Sequence, residues 1–185
     1  MIAIVGLGNP EDIHYKNRHN VGFMAIDNIV EYYKLGSFKN KFQSNIIINK
    51  INDIPIIILK PLTFMNLSGN SVNQIVKFYS LNTENIIVIH DDLDIQFGRV
   101  KIKIGGGNGG HNGLKNIDSH IGANYKRIRI GIGHPGNKEL VNKFVLSNFN
   151  KEENIVLKKL LTNISKNIEN IINNNNISEI LNKLS

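Results

Sequence analysis

Short apolar runs alternate along this chain with longer stretches in which apolar residues recur every three or four positions. The run "IAIVG" (2–6), followed by glycines and a proline, predicts a buried strand. "NVGFMAIDNIVEYYKLG" (20–36) predicts a helix, with Asn20 as candidate N-cap and Gly36 as its stop. "SNIIINKI" (44–51) and "IPIIILK" (54–60) predict a hairpin that turns at Asn52-Asp53. "SGNSVNQIVKFYSL" (68–81) predicts a second helix, with Ser68 available to cap it. "NIIVIH" (85–90) and "RVKIKI" (99–104) predict strands, the latter with its lysines on one face. A helix over about 111–121 and a strand "RIRIGIG" (127–133) follow. From about residue 151 the pattern is helical: Val156, Leu160, Ile164, Ile168 and Ile172 recur every four residues, and Asn173–Asn176 interrupts before a last short helix.

With no internal repeat and no linker, 1–185 predicts a single α/β domain built on a sheet of mixed strand direction covered by helices, with a helical C-terminal segment. Composition changes this picture little. A hydrophobic fraction of 41% and a charged fraction of 20% are those of an ordinary soluble chain. No apolar run approaches the roughly 20 residues that span a bilayer. The first residues, "MIAIVGLGNP", read as a strand and not as a signal peptide. The absence of cysteine excludes disulfides and thiolate chemistry and fits a cytoplasmic protein. Charge adds a candidate partner. The net charge of +7, from 22 Lys+Arg against 15 Asp+Glu, suits either a solvated basic surface or a polyanion such as nucleic acid.

Candidate chemistry begins with "IKIGGGNGGHNGLKNI" (102–117), in which Gly105 to Gly113 hold six glycines, two asparagines and a histidine. Gly105, Gly107 and Gly110 satisfy the spacing of a dinucleotide fingerprint, but the region about 20 residues on, "YKRIRIGIG", has no acid for a ribose. "GLGNPE" fails as a fingerprint at Glu11, and no Walker Gly-Lys-Ser/Thr is present. The glycines instead clear room for a bulky ligand beside His111 and Asn112, although His111 could equally cap the next helix.

The ends of strands carry the firmer signal. Strands 2–6, 54–60, 85–90 and 99–104 run into Asn9, Asn66, Asp91 and His111 respectively, and parallel α/β sheets gather ligands at such ends. His19 stands at the start of the first helix, whose positive dipole end favours a neutral ring able to accept a proton. Asp91 could orient that ring and stabilise the imidazolium formed during reaction. Without cysteine or a G-x-S-x-G elbow, the nucleophile would be water, and the amides of Asn9, Asn66 and Asn112 could hold a carbonyl and its oxyanion. The chemistry is ester or amide hydrolysis. The rival is a metal site in "HDDLD" (90–94) with His19 and His111, but alternation along a strand sets Asp92 and Asp94 opposite Asp91.

The stretches "IVGLGNP", "RHNVGF", "TFMNLSG", "HDDLD", "GGGNGGHNGLK" and "RIRIGIGHPG", in this order between residues 4 and 136, resemble the bacterial peptidyl-tRNA hydrolase family, and "FVLSNF" (144–149) extends the likeness. The resemblance implies a cytoplasmic, monomeric, cofactor-free enzyme with a twisted mixed sheet surrounded by helices. It would cleave the ester between a peptide and the 3′ end of tRNA, recycling tRNA from aborted translation. It implies His19 as base, Asp91 as its partner, and Asn9, Asn66 and Asn112 as binders of substrate and water. Phe64 and Met65 would line the substrate channel, His111 would lie near the acceptor end, and Lys103 and Arg129 would clamp a tRNA phosphate. No metal is implied. Three positions depart from the family pattern: Glu11 replaces a usual glycine, His14 a usual tyrosine (with Tyr15 next door) and Asn17 a usual threonine. A non-catalytic RNA-binding protein and an esterase without an RNA requirement are the alternatives. The intact His19, Asp91, Asn9 and Asn66 argue against the first and the basic clamp against the second.

Overall fold

In the computed structural model, residues 1–173 are described, and they form one seven-stranded sheet with helices on both faces. The elements in chain order are β1 (Ile2–Gly6), α1 (Val21–Tyr33), β2 (Lys39–Lys41), β3 (Ser44–Ile51), β4 (Ile54–Pro61), α2 (Ser68–Phe78), β5 (Ile86–Asp92), β6 (Val100–Ile104), α3 (Asn112–Ile121), β7 (Lys126–Gly131), α4 (Val141–Val145) and α5 (Lys151–Asn173). The sheet order is β2-β3-β4-β1-β5-β7-β6. The four central strands β4, β1, β5 and β7 are parallel, while β3 and β6 flank them antiparallel and β2 extends the β3 edge. The central strands are apolar on both sides because helices cover both faces.

On one face, Ile4, Ile58, Ile89 and Ile128 pack against Ala25 and Ile29 of α1 and Leu160 and Ile164 of α5. On the other, Val5, Ile57 and Val88 pack against Val72 and Ile75 of α2 and Leu114 and Ile117 of α3. Each fully buried isoleucine in these layers contributes roughly 1.5–3 kcal/mol of transfer free energy.

The α/β class, the single sheet of mixed direction and the hairpin at Asn52-Asp53 follow the sequence pattern. Three local expectations do not. Asn20 occupies the N-cap position of α1 but gives no side-chain bond to the helix, and Lys34, two residues before Gly36, takes the left-handed C-cap with φ +52°. Ser68 is the first residue of α2, and its hydroxyl donates back to the Met65 carbonyl at 2.8 Å. In α5 the buried face is Leu157, Leu160, Leu161, Ile164, Ser165, Ile168 and Ile171, and Val156 is exposed. A strict four-residue spacing drifts about 40° per step on a helix of 3.6 residues per turn, so no such row can stay on one face. The last short helix expected beyond the Asn173–Asn176 interruption lies outside the described residues.

Candidate active site

The site forms at the carboxyl ends of the parallel strands, and two glycines let it close. A Cβ on Gly22 would lie 2.4 Å from the Ile89 carbonyl oxygen and 2.5 Å from the Leu7 nitrogen. Only glycine lets the start of α1 press onto the ends of β1 and β5. A Cβ on Gly113 would meet Met65 Sδ at 2.6 Å and Leu7 Cδ1 at 3.0 Å, so glycine there lets these side chains close against the start of α3. These approaches bring together His19, from the single turn before α1, Asp91, near the end of β5, and His111, immediately before α3.

Asp91 is the centre of that group. Its carboxylate can only accept, so His19 Nδ1–H donates to its two oxygens at 2.8 and 2.9 Å. His111 Nε2–H donates to Oδ1 at 2.9 Å. The tautomer of His111 is fixed at the other nitrogen, because Nδ1 accepts from the N–H groups of Gly113 and Leu114 at the start of α3. Helix capping and service to Asp91 are therefore both done by His111, one by each ring nitrogen. With Nδ1 of His19 committed to Asp91, its Nε2 is left as a free base beside the cleft.

Burial raises the Asp91 carboxyl pKa, but the two imidazoles, through charge and hydrogen bonds, outweigh it and hold the group well below the usual carboxylate range. Burial likewise lowers the pKa of His19, and the Asp91 charge and hydrogen bond more than offset it, so the net shift is upward. This corrects the expectation from the helix dipole. His19 is made more basic by the carboxylate in contact with it. His90, on the opposite face of β5, donates from Nδ1 to the Asp91 carbonyl oxygen at 2.6 Å. Its complete burial, with His111 beside it, lowers its pKa to about 3, and it is a neutral ring.

His19, Asp91 and His111 each offer a ligand atom within 4.8 Å of the others, the spacing of a possible metal site. The hydrogen bonds give these atoms another use: both rings point a proton at one carboxylate oxygen, whereas a metal would need bare nitrogens about 2.0–2.1 Å from itself. Nor do the carboxylates of "HDDLD" converge. Asp92 accepts from Arg129 Nε at 2.7 Å and from the Asp94 amide at 2.9 Å.

Two clefts meet at His19. The smaller includes Asp91, Asn108, His111 and Asn112 in its lining. The larger, of about 450 Å³, is lined by Asn9, Phe64, Met65, Asn66, Asn112 and Leu146 among others. Asn9 is held from both sides. Its Oδ1 accepts from the Met65 N–H at 3.0 Å, and its backbone exchanges two hydrogen bonds with the side chain of Asn20, at 2.9 and 2.8 Å. That leaves the Asn9 amide NH2 for a ligand. Asn20, 1% exposed, is thus part of the site rather than a helix cap, which its place beside His19 did not disclose.

The fourth strand end behaves differently from expectation. Because β6 is antiparallel to β7, its carboxyl end lies at the opposite end of the strands from His19, Asp91 and His111. The glycine loop runs back along the sheet to deliver His111. Arg127 fixes that path: it is 2% exposed and donates to the carbonyls of Gly106 and Gly107 at 3.1 and 2.8 Å and to Asp118 at 3.1 Å. Arg127 alternates with Arg129, which puts both on one face of β7. Arg18 is a second anchor. Its guanidinium is bidentate to Glu153 at 2.9 and 2.8 Å and lies 4.6 Å from the Phe144 ring centre and 4.8 Å from that of Phe149. The residue before His19 is thereby pinned to the start of α5.

Lys103 and Arg129 line neither cleft. Lys103 is exposed on β6 directly opposite Arg127, so Lys103 and Arg129 are diagonal neighbours on one sheet face, about 7–8 Å apart by strand geometry.

A buried carboxylate that orients two imidazoles, with one bare ring nitrogen beside a cleft of amides and apolar side chains at the strand ends of an α/β sheet, is an arrangement suited to a hydrolase. A family model described as peptidyl-tRNA hydrolase matches residues 3–185. The peptidyl-tRNA hydrolase of Bartonella henselae is 50% identical over 175 residues, covering 95% of this chain and 91% of that protein. That of Rickettsia bellii is 45% identical over 185 residues, the whole length of both. The crystal structure of the Acinetobacter baumannii peptidyl-tRNA hydrolase, 36% identical, superposes with a TM-score of 0.93 over 100% of this chain and 94% of that one. This chain belongs to the peptidyl-tRNA hydrolase family. Among the described residues, no helix is long and apolar enough to cross a membrane.

Proposed function

We propose that this chain hydrolyses the ester joining a peptide to the 3′ end of tRNA, with His19 as base and water as nucleophile. The observation that carries the reading is the His19–Asp91 pair at 2.8 Å, which leaves Nε2 of a ring made more basic by its partner beside the larger cleft. Water at Nε2 attacks the ester carbonyl carbon while His19 takes its proton. Asp91 stabilises the imidazolium formed, and the amides of Asn9, Asn66 and Asn112 bind the substrate carbonyl and its developing negative charge. The tetrahedral intermediate collapses, the C–O bond to ribose breaks, and the imidazolium returns a proton to the leaving oxygen. The peptide acid and a free tRNA 3′ end result, with no acyl-enzyme.

Phe64 and Met65 form the apolar side of the peptide cleft, and Phe64 is 55% exposed to it. His111 borders the acceptor side from the glycine loop, its ring nitrogens spent on Asp91 and the start of α3. Lys103 and Arg129 meet a phosphate of the acceptor stem, the sequence-independent part of binding. The reading includes a cytoplasmic monomer that needs no cofactor, as the family resemblance implies.

The test is release of an N-blocked amino acid from N-acyl-aminoacyl-tRNA, in chelator, by the native chain and by His19→Ala. The reading expects release by the native chain and a loss of at least roughly a hundredfold in the variant. If chelator abolishes native release and zinc or magnesium restores it, a metal replaces the histidine base. If neither protein releases anything while tRNA still binds, the chain is a binder.

A further inference from the structure

The three departures from the family pattern form one connected cluster at the rim of the larger cleft. His14 Nδ1 lies 2.7 Å from Asn17 Oδ1, and His14 Nε2 lies 3.4 Å from Glu11 Oε2. Asn17 spends its amide NH2 on Asn148 at 2.9 Å, so its oxygen is what faces His14. The backbone repeats the linkage, since the His14 N–H donates to the Glu11 carbonyl and the Asn17 N–H to the His14 carbonyl, each at 2.9 Å. Glu11 and His14 line the same cleft as His19, Phe64 and Asn66. Where a glycine would leave the rim bare, this chain presents a carboxylate backed by an imidazole.

The cleft also continues past that carboxylate. Asn9 and Glu11 line a second groove of about 440 Å³, whose walls carry four carboxylates (Glu11, Asp12, Asp27 and Glu31) against one lysine, Lys60. Lys60 is already bound to Asp27 at 2.5 Å. The exposed lysines Lys101 and Lys103 lie at the β6–β7 edge of the sheet, away from this groove. A polyanionic tRNA is drawn to these lysines and repelled from the acidic path, so the part of the substrate that meets Glu11 is the peptide.

Resting on the hydrolase reading above, we propose that Glu11, backed by His14, is a specificity determinant that makes this chain favour peptides carrying cationic side chains close to the scissile ester. A glycine in its place would bring no charge to the rim. The carboxylate is half exposed, so the preference is of modest size and weakens with salt.

The test compares kcat/KM at low ionic strength for acetyl-dilysyl-tRNA and the same substrate with both side-chain amines acetylated, on one lysine tRNA. The tRNA and the ester are then constant, and the ratio in Glu11→Gln cancels the bulk that the acetyl groups add, so the change in ratio reports the charge. The native chain is expected to favour the charged peptide about threefold, as an exposed ion pair allows. In Glu11→Gln and Glu11→Gly that ratio falls to about one, and the ratio within each variant is independent of any general slowing. A native ratio of one, or a preference that survives in both variants, overturns the assignment. Failure of the native chain to cleave either substrate overturns the hydrolase reading instead.

Discussion

The end of β5 and the β6–β7 edge both carry charge, and they are organised in opposite ways. At the first, a buried carboxylate is saturated by two imidazoles, and its neighbours Gly22, Gly113, Asn20 and Arg18 hold the backbone around it. At the second, Lys101 and Lys103 stand exposed on an edge strand, and their placement follows from strand alternation alone. Charge in a closed site alters chemistry, because its energy is large and unscreened. Charge on an open strand alters affinity in proportion to salt. The molecule keeps the two tasks on different strands, β5 and β6, with β7 between them.

Breaking the closed site gives the largest effect. Asp91→Asn leaves both histidines without an anionic partner, and kcat is expected to fall by at least roughly a hundredfold, measured in single turnover on N-acyl-aminoacyl-tRNA. A variant within threefold of native would show that the pair is structural only. Next comes the strut between the two regions. Arg127→Met leaves two loop carbonyls without their donor and Asp118 with only the Tyr125 hydroxyl, at a cost of about 3 kcal/mol in denaturant unfolding. A native midpoint in that variant would mean that the glycine loop holds its own course.

The buried histidine sharpens the comparison through pH. His90 has a folded pKa of about 3, below the 6.5 of an unfolded histidine, so between these values the unfolded chain binds more protons. Stability from this group is present above pH 6.5 and is lost as pH falls from 6.5 towards 3. Asp91 adds a loss in the same direction below 3.8, since its pKa is depressed. His19 has the opposite sign: its pKa is raised, so its contribution is full below 6.5 and lost as pH rises through the folded value. His90→Phe should therefore flatten the acid limb of Tm against pH, and an unchanged limb would remove His90 from the account. The smallest effect belongs to the open face. Lys103→Ala should lower the slope of log affinity for tRNA against log salt by about 0.7–0.9, one phosphate contact. An unaltered slope would return Lys103 to a solvated strand face.

Much of this was readable in the sequence, and the rest was not for definite reasons. Three of the four strand ends converge because β1, β4 and β5 are parallel, which short apolar runs disclose once both faces must be covered. The direction of β6 could not be read, since the pattern "KIKI" is the same whichever way the strand runs. His111 allowed two readings, capping or site chemistry, and only the position of Asp91 shows that one ring does both. The anchoring roles of Arg127 and Asn20 could not be read, because most of their partners are main-chain groups, which leave no trace in residue identities. The shift of the α5 face from Val156 to Leu157 was available from helix geometry alone.

The most direct measurement is the pH profile of kcat/KM for the native chain and for Asp91→Asn on one N-acyl-aminoacyl-tRNA. Asp91 raises the pKa of His19, so the native acid limb should bend above pH 6.5, and the variant, slower throughout, should bend at lower pH. The same bend in both proteins would contradict a histidine base tuned by Asp91.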